Sequence, residues 1–279
     1  MGKLMGTFRE MHISGDPFIL ANVWDKGAAR MMAHMGAKAL ATSSAAHAFT
    51  QGVSDMGNVG RDAAIAHAQE LAGATPLPLS ADLENGYGHE PLHVASSVKL
   101  AAVAGLEGCA IEDVKPSNAN PYEFSEAVER IEAGVEAAQN FRNETGEDFV
   151  LTARADGIMH GQYGIDEAIK RLKAFEKAGA DVLYAPMPDT MDDLAKICKA
   201  LEKPVNALCA GKFTRFSIRD FAAIGVARIS LGSAMARVTH QAIMDCGNQM
   251  FEKGEFGLLE GAASALDIDP MLLGKINKN

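Results

Sequence analysis

The sequence predicts a single-domain (β/α)8 barrel, an α/β fold, with one extra C-terminal helix. Three observations predict it: eight short apolar runs in succession, amphipathic helical patterns between them, and a length of 279 residues. The usual size of such a barrel is about 250 residues. The apolar runs are 18–24, 39–44, 77–84, 108–114, 149–156, 181–186, 204–209 and 228–233. Most are almost continuously apolar, as expected of parallel strands covered on both faces.

The segments between the runs carry helix periodicity. In 126–138, Val128, Ile131, Val135 and Ala138 recur at steps of three and four, while Glu129, Arg130, Glu132 and Glu136 fill the other face. Ile165, Ile169, Leu172 and Phe175 repeat the pattern in the next unit. Such spacing makes one apolar stripe for packing on a sheet. Gly36, Gly105, Gly179 and Gly225 stand where helices end and strands begin, a place that often needs positive φ. Eight units close most naturally into a barrel. The alternative is a doubly wound open sheet, but no GxGxxG follows the first strand. Residues 1–254 form the barrel. Residues 255–279 form a tail with one more helix over 269–276, surplus to the ring and suited to exchange with a neighbouring subunit.

Composition narrows the function classes. The chain is 48% hydrophobic and 22% charged, with a net charge of −10 and no run of Lys or Arg. Nucleic acid is not an expected partner. No apolar stretch is long enough to span a bilayer, and the N-terminus lacks a signal-peptide core. The four cysteines, Cys109, Cys198, Cys209 and Cys246, form no CxxC pair. That pattern fits reduced thiols in a cytoplasmic protein.

In this fold the chemistry sits at the C-terminal ends of the strands. The third strand ends Asp82-Leu83-Glu84-Asn85-Gly86-Tyr87-Gly88, the fourth Ile111-Glu112-Asp113, and the fifth Thr152-Ala153-Arg154-Ala155-Asp156. Asp82 and Glu84, two apart, are expected on one side of their strand. Asp55 follows the second strand after a glycine-containing loop. Any one Asp is routine as a helix N-cap. Asp82, Glu84 and Glu112 together repel one another and resist desolvation, which a divalent cation relieves. Oxygen donors without histidine suit Mg²⁺ or Mn²⁺ rather than zinc.

These segments resemble the isocitrate lyase/phosphoenolpyruvate mutase superfamily. Asp82 to Gly88 resembles its D-x-[DE]-x-G-Y-G signature, Ile111-Glu112-Asp113 its I-E-D, and Thr152 to Asp156 its T-A-R-x-[DE]. Thr42-Ser43-Ser44-Ala45 is similar to its substrate-holding segment, and Gly52-Val53-Ser54-Asp55 to its G-x-x-D. The motifs stand in the right order over roughly residues 8–256. The resemblance implies a small α-keto or 2-hydroxy carboxylic acid as substrate. It implies Asp82 as direct Mg²⁺ ligand, with Glu84, Glu112 and Asp55 acting through waters. It also implies that Ser43, Ser44 and Ala45 contact the substrate, that Arg154 grips a carboxylate in bidentate fashion, and that a swapped C-terminal helix builds a homotetramer from two dimers.

The sequence also departs from the superfamily. The lyases carry K-K-C-G-H on the loop after the fourth strand, where this chain has Lys115, Pro116, Ser117 and Asn118 with no Cys or His. The mutases have Lys and Asn there at a different spacing. The sixth strand ends Tyr184-Ala185-Pro186, where lyases have Glu and mutases His. The reading is therefore a Mg²⁺-dependent carbon–carbon lyase working through an enolate, of the oxaloacetate decarboxylase or 2-methylisocitrate lyase type. The alternative is P–C bond chemistry, as in phosphonopyruvate hydrolysis or phosphoenolpyruvate rearrangement; a binding protein without catalysis is the third class. Decarboxylation needs enolate stabilisation above all. Retro-aldol cleavage needs a general acid in addition, and the sequence offers no clear one. Further candidates are His47 beyond the second strand, Lys115 in the fourth loop and Asn206 on the seventh strand; Trp24 reads as rim packing.

Overall fold

The computed structural model describes residues 7–273. In chain order the elements are β1 (Phe18–Asn22), α1 (Lys26–His34), β2 (Ala39–Ala41), α2 (Ser44–Thr50), α3 (Arg61–Ala72), β3 (Leu79–Asp82), α4 (Pro91–Val103), β4 (Gly108–Glu112), α5 (Phe124–Thr145), β5 (Val150–Arg154), α6 (Ile165–Ala178), β6 (Val182–Tyr184), α7 (Met191–Ala200), β7 (Val205–Leu208), α8 (Ile218–Ala223), β8 (Arg228–Ser230), α9 (Ala234–Lys253) and α10 (Ala265–Leu272). The strands close into one barrel in the order β1 to β8, every neighbouring pair parallel. The expected fold is therefore the observed one.

Every strand is shorter than its apolar run, because its last residues have turned into the loop that follows. Ser43, expected at a strand end, is instead the N-cap of α2, its Oγ accepting from the Ala46 N–H at 3.3 Å. Outward residues of the strands join the helices in the main core, as Leu40, Leu79, Ile111, Leu151 and Leu183 do. On α5 the buried stripe is Ala127, Ile131, Val135, Ala138 and Phe141. Gly134 lets this helix approach closely: a Cβ there would sit 3.2 Å from both Leu151 and Val94 side chains. Arg130, expected on the solvated face, is buried instead.

The lower end of the barrel is plugged from the N-terminal segment. Phe8 meets Phe18 edge-on at 6.2 Å, and both pack with Leu20, Ala39, Ala41, Val150 and Val182. Arg9 fastens the plug by pairing with Asp148 at 2.9 Å and with Asp181, beside the starts of β5 and β6. Catalytic access is left to the upper end.

The helical ring is not complete, contrary to the expectation that eight helices cover it. Only Ala236 of α9 is buried. Val238, Ile243, Met244 and Phe251 of that helix are exposed, Phe251 to 88%. On the barrel, Ile19 of β1 points outward and is 46% exposed. The tail helix α10, by contrast, packs on α1 of its own chain, where Arg30 Nη1 donates to Leu272 O at 3.3 Å. It runs Ala265–Leu272 rather than 269–276, and residues 274–279 lie outside the described range. The surplus helix is thus α9, inside the eight-unit repeat, not the tail after it. Among the described residues no helix is long and apolar enough to cross a membrane.

Candidate active site

Three strands deliver the central charges from their last residues: Asp82 ends β3, Glu112 ends β4 and Arg154 ends β5. The register sets Glu112 directly beside Arg154. Arg154 Nη1 donates to Asp82 Oδ1 at 3.0 Å, and Nη2 lies 3.1 Å from Glu112 Oε1. Its Nε and Nη2 form a fork on Asp156 at 2.8 and 2.6 Å. The ring of Tyr184 lies 4.9 Å from the guanidinium carbon. The bidentate face of Arg154, which the resemblance assigns to substrate, is thus occupied by Asp156 in this structure.

Asp82 is held from the other side by the turn after β2. Its N–H donates to Thr42 Oγ1 at 2.8 Å, and its Oδ2 accepts from the Ser44 N–H at 3.0 Å. Ser44 also donates its hydroxyl to Asp55, so one serine ties two of the carboxylates. Glu84 reaches the site differently than expected. The strand ends at Asp82, and Glu84 sits in the loop with φ of +47°. It arrives by a left-handed turn, not by strand alternation. Met56 and Tyr87, at φ of +73° and +61°, are two further non-glycine residues in that strained region, both in loops beside the carboxylates. Such strain persists only where the surroundings over-determine it. Around Glu84 and Tyr87, Arg130 does so, donating to the carbonyls of Asn85, Gly88 and His89 while stacking on Tyr122 at 3.9 Å. Gly86 has no alternative: φ is +82°, and a Cβ would fall 3.1 Å from the Val94 backbone.

Burial and mutual repulsion push Glu84, Asp55 and Glu112 toward their protonated forms. Burial chiefly, then Asp82 and Asp55, push Glu84 up to about 8. Asp55 is raised by burial and by Asp82. Burial raises Glu112 well above the usual carboxylate range, against the pull of Arg154. Tyr184 is pushed up to about 12 by burial. Among the described residues Arg154 is the one cation paired with this set. Hard oxygen donors carrying such unrelieved negative charge fit Mg²⁺ or Mn²⁺. Among the described residues no three His, Cys, Asp or Glu side chains converge as a direct ligand set. A cation here would complete its shell with water and substrate, which suits Asp82 as the direct ligand.

A cavity of about 190 Å³ opens over this cluster, a size for a small acid. Asp55, Asp82, Glu112, Arg154, Ser43, Ser44, Ala45 and Asn206 all line it. Glu84 and His47 line a small hollow alongside. His47 is buried, stacked on His67 at 3.7 Å between ring centres. It is pushed down to about 4 by burial and then by His67, so its ring is neutral. Lys115 is not on the cavity wall; its Nζ rests 5.2 Å over the Tyr122 ring. A larger hollow of about 670 Å³ lies between the 56–63 loop and the Gly88, His89 and Pro116 region. Of the four carboxylates it touches only Glu84, so the smaller cavity is the candidate site.

Several lining residues escaped the sequence reading. His160, in the loop after β5, and Tyr184 and Arg228 all face the cavity. Asp156 was visible in principle, two residues beyond Arg154 on the same strand path. Asn22 pins the opposite wall: its Oδ1 accepts from the Leu231 and Gly232 N–H groups at 2.8 and 2.9 Å, and its Nδ2 donates to Thr42 O. Behind Asp156, Asp113 accepts from the Asp156 N–H, Tyr163 and Arg171, a buried support for the loop.

Comparison with known proteins meets this geometry. The profile of the phosphoenolpyruvate phosphomutase family matches residues 8–251. The chain belongs to that family. It is part of the isocitrate lyase/phosphoenolpyruvate mutase superfamily of lyases and mutases, as the motif order implies. A candidate lyase/mutase from Burkholderia cenocepacia J2315 superposes with a TM-score of 0.90 and 40% identity, covering 97% of this chain and 96% of that one. An uncharacterized protein of Mycobacterium tuberculosis (strain ATCC 25618 / H37Rv) is 32% identical over 232 residues, 81% of this chain and 82% of its own. The 2-methylisocitrate lyase of Escherichia coli (strain K12) is 31% identical over 166 residues, 56% of this chain and 52% of that one.

Proposed function

We propose that the protein is a Mg²⁺-dependent carbon–carbon lyase acting on a small α-keto or 2-hydroxy carboxylic acid. The observation that carries the reading is the rim: four carboxylates on separate strand ends and loops around one arginine, three of them lining a cavity sized for such an acid and Glu84 alongside it. Asp82 would hold the cation directly, with Glu84, Glu112 and Asp55 around it. When bound, the ion supplies Lewis-acid stabilisation of charge on the substrate's keto oxygen. The chain's residues do the rest. Ser44 fixes Asp82 and Asp55, and Arg154, clamped by Asp156 and Tyr184, holds Asp82 and Glu112 in place. Ser43, Ser44 and Ala45, at the start of α2, stand on the cavity wall.

Decarboxylation of oxaloacetate is the simplest reaction this arrangement supports. The bond pair left by departing CO2 becomes an enolate, and solvent protonates the carbon to give pyruvate. The loop after β4 lacks the Cys of the lyases, and decarboxylation does not need it. A second reading, retro-aldol cleavage of a 2-hydroxy acid, is favoured by His160, the imidazole on the principal cavity wall and a candidate general acid. The test is a Mg²⁺-dependent screen of the purified protein over oxaloacetate, 2-methylisocitrate, isocitrate and phosphonopyruvate. Pyruvate from oxaloacetate well above the Mg²⁺-only background is expected. Turnover of phosphonopyruvate alone would replace carbon–carbon by P–C chemistry.

Assembly belongs to the same reading. The exposed apolar face of α9 and the bare outer face of β1 at Ile19 fit an exchange between two copies of this chain, a low-cost route to a dimer. Two such dimers would form a homotetramer. Light scattering of the full chain tests this: a monomer at micromolar concentration would end it.

A further inference from the structure

The cavity does not stop at the rim. Beneath Asp82 it continues into the barrel, where β2, β3 and β4 contribute the small residues Ala41, Ser80, Ala81 and Ala110 to its lining. Facing them, on β7 and β8, are Asn206, Arg228 and Ser230. Arg228 is 2% exposed. Its Nε donates to Asn206 Oδ1 at 2.8 Å, its Nη2 donates to Thr152 Oγ1 at 3.0 Å, and its Nη1 lies 3.2 Å from His12 Nε2.

All three partners are neutral. Burial first, then the charge of Arg228, push His12 down to about 3. No Asp or Glu among the described residues pairs with Arg228, whereas buried Arg154 and Arg171 each hold carboxylates. Arg130, buried too, has backbone carbonyls aimed at it. A guanidinium carries five N–H groups, so those three contacts leave two unused. An uncompensated buried cation is costly. Burial, with Arg154 adding to it, has pushed Arg228 down to about 9. The position of this charge is informative as well. Thr152 lies two residues below Arg154 on β5, a drop of about 6–7 Å, and the guanidinium sits at its level. A four-carbon diacid spans such a gap.

We propose that Arg228 receives a second, distal carboxylate of the substrate and so selects dicarboxylic over monocarboxylic acids. This rests on the reading that the rim takes the α-keto or 2-hydroxy carboxylate end. The role has a chemical consequence. In a 2-hydroxy diacid cleaved between its two carboxylate-bearing carbons, the bond pair moves onto the carbon beside the distal carboxylate and spreads into it. Arg228 would then face growing negative charge, which favours cleavage. In oxaloacetate the distal carboxylate is the group that leaves, so there Arg228 would serve selection of the diacid and not the bond-breaking step.

Lactate and malate make a matched pair of probes, sharing a 2-hydroxy carboxylate end and differing by the distal carboxylate. Calorimetry in the presence of Mg²⁺ is expected to show the wild-type protein binding malate at least about tenfold more tightly than lactate. Arg228→Gln should erase that preference and leave lactate affinity unchanged; Arg228→Lys, which keeps the charge without the fork, should retain part of it. Circular dichroism checks that both variants fold, and the wild-type ratio stands without them. Lactate binding with no advantage for malate, or a preference that survives in a folded Arg228→Gln protein, would overturn the proposal alone. Binding of neither acid to the wild-type protein would overturn the rim reading and this one with it. Equal loss of both acids in a folded Arg228→Gln protein would make Arg228 a support for the barrel, and the proposal would fall.

Discussion

The rim and the floor of the barrel cavity solve opposite electrostatic problems. At the rim, Asp55, Asp82, Glu84, Glu112 and Asp156 surround Arg154, and negative charge is in excess. At the floor, Arg228 sits among Asn206, Thr152 and His12, with no Asp or Glu paired to it among the described residues. Both layers are buried, and buried charge is tolerated only when something answers it. The rim carries more acids than cations, and among the described residues the floor carries a cation with no paired Asp or Glu. A metal ion with a bound acid would complete both at once.

The largest expected effect comes from removing the rim's central carboxylate. Asp82→Ala should abolish turnover and weaken Mg²⁺ by more than the roughly 10–100-fold typical of outer-shell partners. Calorimetry reads this directly, and unchanged affinity would break the contrast between the layers. Next, Arg154→Lys keeps the charge but not the fork on Asp156. A fall in kcat/KM of at least about tenfold, roughly 1.4 kcal/mol, is expected; a near-normal variant would remove Arg154 from the machinery.

The third effect is a pH dependence with a definite sign. Glu84 is raised in the folded protein to about 8 from the ordinary 4.5. Between those values the metal-free folded state holds a proton that the unfolded state has lost. Its contribution therefore falls as pH rises through that window and levels off above about 8. Mg²⁺ requires the ionised form, so the Tm gain from Mg²⁺ should grow from pH 5 to pH 8. Glu84→Gln should flatten that trend. A Mg²⁺-induced gain independent of pH in the wild-type protein would argue against a protonated rim. The smallest effect belongs to the floor. Thr152→Val removes one neutral partner of Arg228 and should cost about 1–2 kcal/mol in chemical denaturation, with Mg²⁺ affinity unchanged. A change in Mg²⁺ affinity would show that the two layers are not separable.

The sequence made the barrel and the rim largely legible, because both follow local rules. Strands read as apolar runs, and acids at their ends read as a site. Glu84 was found for a partly wrong reason, since its place depends on a left-handed turn that residue type alone does not announce. Arg130 was misread because periodicity assigns a helix face and cannot see carbonyls of another loop pointing at it. Arg228 was invisible as a site residue: it opens an apolar run, and its lack of a counter-charge exists only once eight strands are closed. The eighth helix was misjudged for a similar reason. Its pattern shows that α9 is a helix with apolar residues but not which chain's barrel covers them.

That helix ties assembly to chemistry at one short hinge. Gly232 and Ser233 line the cavity, Asn22 grips the Leu231 and Gly232 amides, and α9 begins at Ala234. In the proposed assembly the chain would thus pass from cavity wall to exchanged helix without an intervening loop. If the copies of the proposed assembly separated, α9 would lose its support on one side of Ser233, leaving Asn22 as the anchor on the other. Specific activity should then depend on dilution, falling at protein concentrations where the light-scattering mass falls and returning when the sample is concentrated.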